Sequence, residues 1–119
     1  MMVDDSKIMR NTLKGIFNQI GIVSMFVEAG DGKEALRLLD EYSVDLILLD
    51  WNMPQLNGLE FLKQVRAKDK YKNLPIIMVT SEAERFNIIE ALKYGATDYI
   101  SKPVTGEVFR EKLTKIHML

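Results

Sequence analysis

Cysteine is missing from this 119-residue chain, and histidine occurs once, at His117. The first absence excludes disulfides and thiolate metal centres, and with so little imidazole any metal site must be built from oxygen. No apolar run is long enough to cross a bilayer. Asp4 and Asp5 interrupt the amino terminus where a secretory leader would need its apolar stretch, so cytoplasmic residence is expected. A formal net charge of −1, from 16 basic and 17 acidic residues, offers no broad basic field for nucleic acid. Blocks of like charge, internal repeats, low-complexity tracts and linkers are absent as well. The expected partners are therefore proteins or small ions, with no nucleic acid and no membrane.

What the chain does have is a size and an apolar content, 47% hydrophobic, that suit one core, and residues 1–119 are expected to form a single domain. Strand-like and helix-like patterns alternate along it. Met1 to Asp4 reads as a strand stub. Ile8, Met9, Leu13, Ile16, Phe17 and Ile20 then recur at helical spacing, with Ser6 placed to cap that helix and Gly21 to end it. Ser24 to Ala29 is a mixed strand of edge type, and Asp31 with Glu34 opens a helix burying Ala35, Leu36 and Leu39. Leu46 to Asp50 is a central strand. Leu59, Leu62 and Val65 mark a third helix, and Pro75 introduces the strand Ile76 to Thr80. A fourth helix is expected to bury Ile88, Ile89 and Leu92 before Gly95 closes it. Asp98 to Ser101 forms a last strand, and Val108, Phe109, Leu113 and Ile116 stripe a final helix. Alternation of this kind predicts an α/β fold, a doubly wound five-stranded parallel sheet with five helices.

In such a sheet all strand carboxyl ends share one rim, where ligands bind. Leu46-Ile47-Leu48-Leu49 is apolar without interruption, as a strand buried on both faces should be, and it delivers Asp50 to that rim. Asp4 and Asp5 leave the first strand there, Thr80 the fourth, and Lys102 follows the fifth. If the order reverses beside strand one, strands one and three are neighbours and their acids converge. Carboxylates about 4 Å apart repel by about 4 kcal/mol at an effective dielectric near 20, so such a cluster implies a cation. Oxygen ligands alone select a hard ion, and a few carboxylates without a twelve-residue calcium loop suit Mg²⁺. Beside that ion Asp50 is placed as a nucleophile toward a phosphoryl group, with the Thr80 hydroxyl and the Lys102 ammonium as catalytic partners to its oxygens. Lys102-Pro103 constrains the chain directly after the strand.

Four motifs carry a resemblance that spans essentially the whole chain: Val3-Asp4-Asp5-Ser6; Asp50-Trp51-Asn52-Met53-Pro54 with Asn57-Gly58; Val79-Thr80-Ser81-Glu82-Ala83; and Tyr99-Ile100-Ser101-Lys102-Pro103. The chain resembles response-regulator receiver domains, and within them the stand-alone chemotaxis branch. The resemblance implies a flavodoxin-like strand order 2-1-3-4-5. It implies that Asp50 takes a phosphoryl group from a sensor histidine kinase of chemotaxis type. Asp4 and Asp5 would organise Mg²⁺ beside Asp50, and the backbone carbonyl of Asn52 would complete the protein ligands. Tyr99, on composition a packing residue, stands three residues before Lys102 where the family carries its switch aromatic, so Thr80 and Tyr99 are expected to move together.

Asn52 and Glu82 match positions that tune dephosphorylation in the family. A monomer acting in trans is implied, with a flagellar motor switch protein as target and a phosphatase as a further partner. Other stand-alone receivers relay phosphate to another protein, which is the alternative reading. Three departures from the family pattern stand out. Few residues precede the acid pair, so the first strand should be short or frayed; Val104 replaces a common aromatic; and Ser6 stands where a bulkier group can occur. Two other classes fit less well. A dehalogenase-type aspartyl phosphatase needs a second acid at the position of Asn52. A flavin carrier needs hydroxyls and amides where Asp4 and Asp5 repel anions. His117 is expected at the surface with no role.

Overall fold

A computed structural model describes residues 1–22, 25–51, 53–81 and 85–118, without the side chains of 85 and 86. Among the described residues five strands and five helices alternate: β1 (Met2–Val3), α1 (Lys7–Gln19), β2 (Glu28–Ala29), α2 (Gly32–Glu41), β3 (Ile47–Leu49), α3 (Gly58–Arg66), β4 (Ile76–Thr80), α4 (Arg85–Lys93), β5 (Asp98–Ser101) and α5 (Gly106–Lys115). A 3-10 turn at Asp69–Tyr71 lies between α3 and β4. The strands form one parallel sheet in the order β2-β1-β3-β4-β5. The register sets Met2 between Glu28 and Leu48, Leu49 beside Met78, and Thr80 beside Ser101.

Side-chain alternation along each strand divides the core in two. Met2, Leu48, Ile77, Val79 and Ile100 meet Leu13 and Phe17 of α1 and Phe109 and Leu113 of α5 on one face. Val3, Ile47, Leu49, Ile76 and Met78 meet Ala35 and Leu39 of α2, Phe61, Leu62 and Val65 of α3, and Ala91 of α4 on the other. Phe17 ties the first layer together by edge-on contacts, with ring centroids 5.0 Å from Phe109 and 5.5 Å from Phe26. This two-sided cover explains the uninterrupted apolar runs of the central strands.

Local signals act as their residue types require. Ser6 caps α1 by accepting from the Met9 amide, Asp31 caps α2 by accepting from Glu34, and Asn57 caps α3 by accepting from Glu60. Gly21 and Gly95 take positive φ values of 83° and 108° after α1 and α4, a region costly for any other residue.

Four expectations need correction. The strand expected over Ser24 to Ala29 is confined to Glu28–Ala29, with Ser24 outside the described residues. The first strand is short, as expected, but not frayed: Met2 and Val3 are buried, and the amides of Met2 and Asp4 donate to Val27 and Ala29. In α4 the inner positions are Ile88 and Ala91, while Ile89 and Leu92 face outward, because periodicity alone does not say which apolar stripe meets the sheet. Ile8 in α1 and Val108 in α5 are likewise exposed.

Candidate phosphorylation site

The strand ends converge as the topology requires. Asp4 is 3% exposed at the end of β1 and Asp50 7% exposed just beyond β3, neighbouring strands in the sheet, while Asp5 is open to solvent. Carboxylate oxygens of Asp4, Asp5 and Asp50 all lie within 4.8 Å of one another. Lys102 closes the cluster from the β5 side: its Nζ is 3.6 Å from Asp50 Oδ1 and 3.8 Å from Asp4 Oδ2. The Lys102 amide donates to the Thr80 carbonyl at 2.6 Å, which fixes the base of the side chain against β4, and the Lys102–Pro103 bond is cis.

The two buried carboxylates are further held by the backbone. The Ser6 amide donates to Asp4 Oδ1 at 2.8 Å, so the residue that caps α1 also orients the buried acid. The Trp51 amide donates to Asp50 Oδ1 at 2.9 Å. Arg10 of α1 donates through Nη1 to the Asp4 carbonyl at 2.6 Å and through Nε to Glu28 at the start of β2, 3.1 Å away. Burial raises the Asp4 pKa above its ordinary 3.8; the Ser6 amide, Lys102 and Arg10 oppose that rise and Asp5 adds to it. The rise is chiefly the cost of burying the charge, with Asp5 a lesser addition, and a divalent cation beside the carboxylate would favour its ionised form.

Thr80 contributes the second sign of an incomplete site. It is fully buried, and among the described residues its Oγ1 has no hydrogen-bond partner. A buried hydroxyl left this way costs about 1–3 kcal/mol, which a protein retains where a ligand completes the bond. Tyr99 lies half-buried on the neighbouring strand, paired in register with Met78 and packed on the core face that holds Leu49 and Phe61.

The loop after Asp50 turns back at once. Gly58 donates its amide to the Trp51 carbonyl at 2.8 Å, Leu56 donates to Pro54, and Gln55 takes φ 70°. Trp51 is partly buried against the core beside the acid. Asn52 and Glu82, expected to supply a metal-binding carbonyl and to tune dephosphorylation, lie outside the described residues. His117 is exposed. Sequence reasoning missed Arg10 and the pairing of Lys112 with Asp98 next to Tyr99. Charged residues on helices are read as solvated by default, and only the tertiary contact distinguishes these two.

Comparison with known proteins agrees with this geometry. The model of the response regulator receiver domain matches residues 1–114. The chain is 41% identical over 116 residues to the chemotaxis protein CheY of Pseudomonas aeruginosa, covering 98% of this chain and 93% of that one. It is 44% identical over 117 residues to a CheY homolog of Campylobacter jejuni, covering 98% and 89%. Among solved structures, chemotaxis protein CheY4 of Vibrio cholerae superimposes with a TM-score of 0.84 at 34% identity, covering 97% and 94%. Buried acids at the ends of β1 and β3, a lysine reaching them from beyond β5, and likeness over nearly the full length place this chain in the response-regulator receiver domain family, next to CheY proteins.

Proposed function

We propose that the chain is a chemotaxis phosphorylation switch in which Asp50 accepts a phosphoryl group from a sensor histidine kinase. The observation that carries this is the convergence on Asp50 of two further carboxylates and an ammonium 3.6 Å away, with the buried hydroxyl of Thr80, unpartnered among the described residues, at the end of the neighbouring strand. An Asp50 carboxylate oxygen forms the new bond to phosphorus, the bond to the kinase imidazole breaks, and that imidazole leaves as the neutral ring after taking a proton. Such a transfer needs positioning and charge neutralisation more than covalent help. Lys102 pairs with one phosphoryl oxygen, and Thr80 donates its hydroxyl to another.

Asp4, Asp5 and Asp50, with the Asn52 carbonyl, are the residues that would hold Mg²⁺. When bound, that ion supplies positive charge to the phosphoryl oxygens. The fit rests on the donor set, three carboxylate oxygens within 4.8 Å of one another.

Phosphorylation adds about 1.5 to 2 negative charges at a buried rim. Charge-assisted hydrogen bonds from Thr80 and Lys102, at about 1.5–3 kcal/mol each, approach the roughly 5.5 kcal/mol that inverts a 1:99 equilibrium. Thr80 moves toward the phosphoryl group and Tyr99 turns inward after it, which changes the surface formed by α4, β5 and α5. Likeness to CheY proteins over nearly their whole length supports a flagellar motor switch protein as the target of that surface.

Trp51, the only tryptophan, adjoins the acceptor and reports on it. Millimolar Mg²⁺ followed by acetyl phosphate or beryllofluoride is expected to change its emission in two steps. Asp50→Asn is expected to abolish the second step; an identical second step in that variant would overturn the assignment.

A further inference from the structure

The switch reading of Thr80 and Tyr99 raises the question of what holds the tyrosine at rest. We propose that Lys112, anchored by Asp98, is a latch on the resting orientation of the Tyr99 ring. The proposal rests on that switch reading and adds to it a positioning residue on α5.

Lys112 Nζ lies 3.0 Å from Asp98 Oδ1, with the two side chains 18% and 21% exposed, and it sits 5.0 Å from the centroid of the Tyr99 ring. The same Asp98 oxygen accepts the Tyr99 amide at 2.8 Å. One carboxylate oxygen thus ties the tyrosine backbone to the lysine that covers its ring. Asp98 and Tyr99 project to opposite sides of β5, an edge strand, so the long lysine reaches around that edge to meet both. Its root is fixed, because Phe109 and Leu113 on either side bury α5 against the sheet.

A cation against an aromatic ring is attracted by the ring quadrupole, and the attraction grows as water is removed. The Asp98 pair is mostly shielded, unlike the surface pair of Arg37 with Glu41, whose side chains are more than half exposed. When Tyr99 turns toward Thr80, the ring leaves the ammonium. Lys112 therefore stabilises the resting form alone, and a ligand or substitution that acts on only one form shifts the population. Removing the lysine's contact is expected to raise the active-like fraction of unphosphorylated protein about five-fold, the scale of one partly shielded cation–π contact.

Fluorine NMR of the full chain carrying 3-fluorotyrosine tests this, with the Tyr99 signal assigned from Tyr99→Phe and the active end-point defined by wild type with Mg²⁺ and beryllofluoride. In Lys112→Met without beryllofluoride the Tyr99 signal is expected to move toward that end-point, and Lys112→Arg is expected to restore it. Asp98→Asn should move the signal the same way, with the double variant going little further than either single one. Lys112→Met and Asp98→Asn signals that stay at the wild-type position, whatever their melting temperatures, overturn the latch and leave the switch intact. A wild-type Tyr99 signal that ignores beryllofluoride while Trp51 responds overturns the switch reading and the latch together.

Discussion

Gly58 opens α3 so close to Asp50 that a Cβ on it would overlap the Asp50 carbonyl oxygen and come within 2.9 Å of Trp51 Cα. Both neighbours are backbone, so no side chain can swing away to make room. Gly58→Ala is expected to cost about 1–3 kcal/mol in urea unfolding, the usual range for overpacking. Because the displaced atoms belong to Asp50, the proposed acceptor, and to Trp51 beside it, the same variant should also weaken the Trp51 response to beryllofluoride.

Thr80→Val separates stability from signalling. Among the described residues the buried Oγ1 has no partner, so replacing it with a methyl is expected to remove an unsatisfied group. Unphosphorylated protein is expected to gain about 1 kcal/mol in chemical denaturation. The movement of Tyr99 on beryllofluoride addition should be lost. A large destabilisation would mean that the hydroxyl is satisfied at rest.

Asp4→Asn probes the crowding of acids. Burial, with Asp5, raises the Asp4 pKa above 3.8. A carboxylate raised in this way lends stability below its unfolded pKa and loses it as pH climbs through the folded value, so at neutral pH the ionised form is a net cost. The variant is expected to melt higher than wild type at pH 7 without metal, by about 1 kcal/mol or roughly 4 °C, with the gain shrinking in acid. Added Mg²⁺ should raise the wild-type midpoint more than that of the variant. Differential scanning fluorimetry across pH and Mg²⁺ measures both.

Glu28 behaves in the opposite sense. Its pKa is lowered, chiefly by the hydrogen bond from Lys14 at 3.0 Å; burial opposes this, and Arg10 at 3.1 Å adds to the lowering. Its contribution is present above the ordinary 4.5 and fades as pH falls through the lower folded value. Glu28→Gln is expected to cost about 0.5–1 kcal/mol at neutral pH, since the carboxylate is partly solvated, and nothing once both forms are protonated. Urea midpoints at pH 7 and in acid give the comparison.

Much of this molecule was legible in residue order. Buried strands announce themselves as unbroken apolar runs, and parallel topology then forces Asp4, Asp50, Thr80 and Lys102 to one rim before any coordinate is known. Ser6 and Asp31 were readable as caps because short polar side chains before an apolar stripe have few other uses. The extent of β2 was not readable, since its mixed composition suits a loop as well as an edge strand. Nor was the inner stripe of α4. Ala91 is fully buried while Ile89 and Leu92 are exposed, and an alanine leaves little trace in an apolar pattern. Arg10 and Lys112 escaped notice because their contacts, with the Asp4 carbonyl and with Asp98 beside Tyr99, are made across distant parts of the chain.

The acids come from the first strand and the third, the hydroxyl from the fourth, and the ammonium from beyond the fifth. If these groups together receive the phosphoryl group, a partly unfolded molecule lacks at least one of them, and acceptance is expected only from a polypeptide whose sheet is fully assembled.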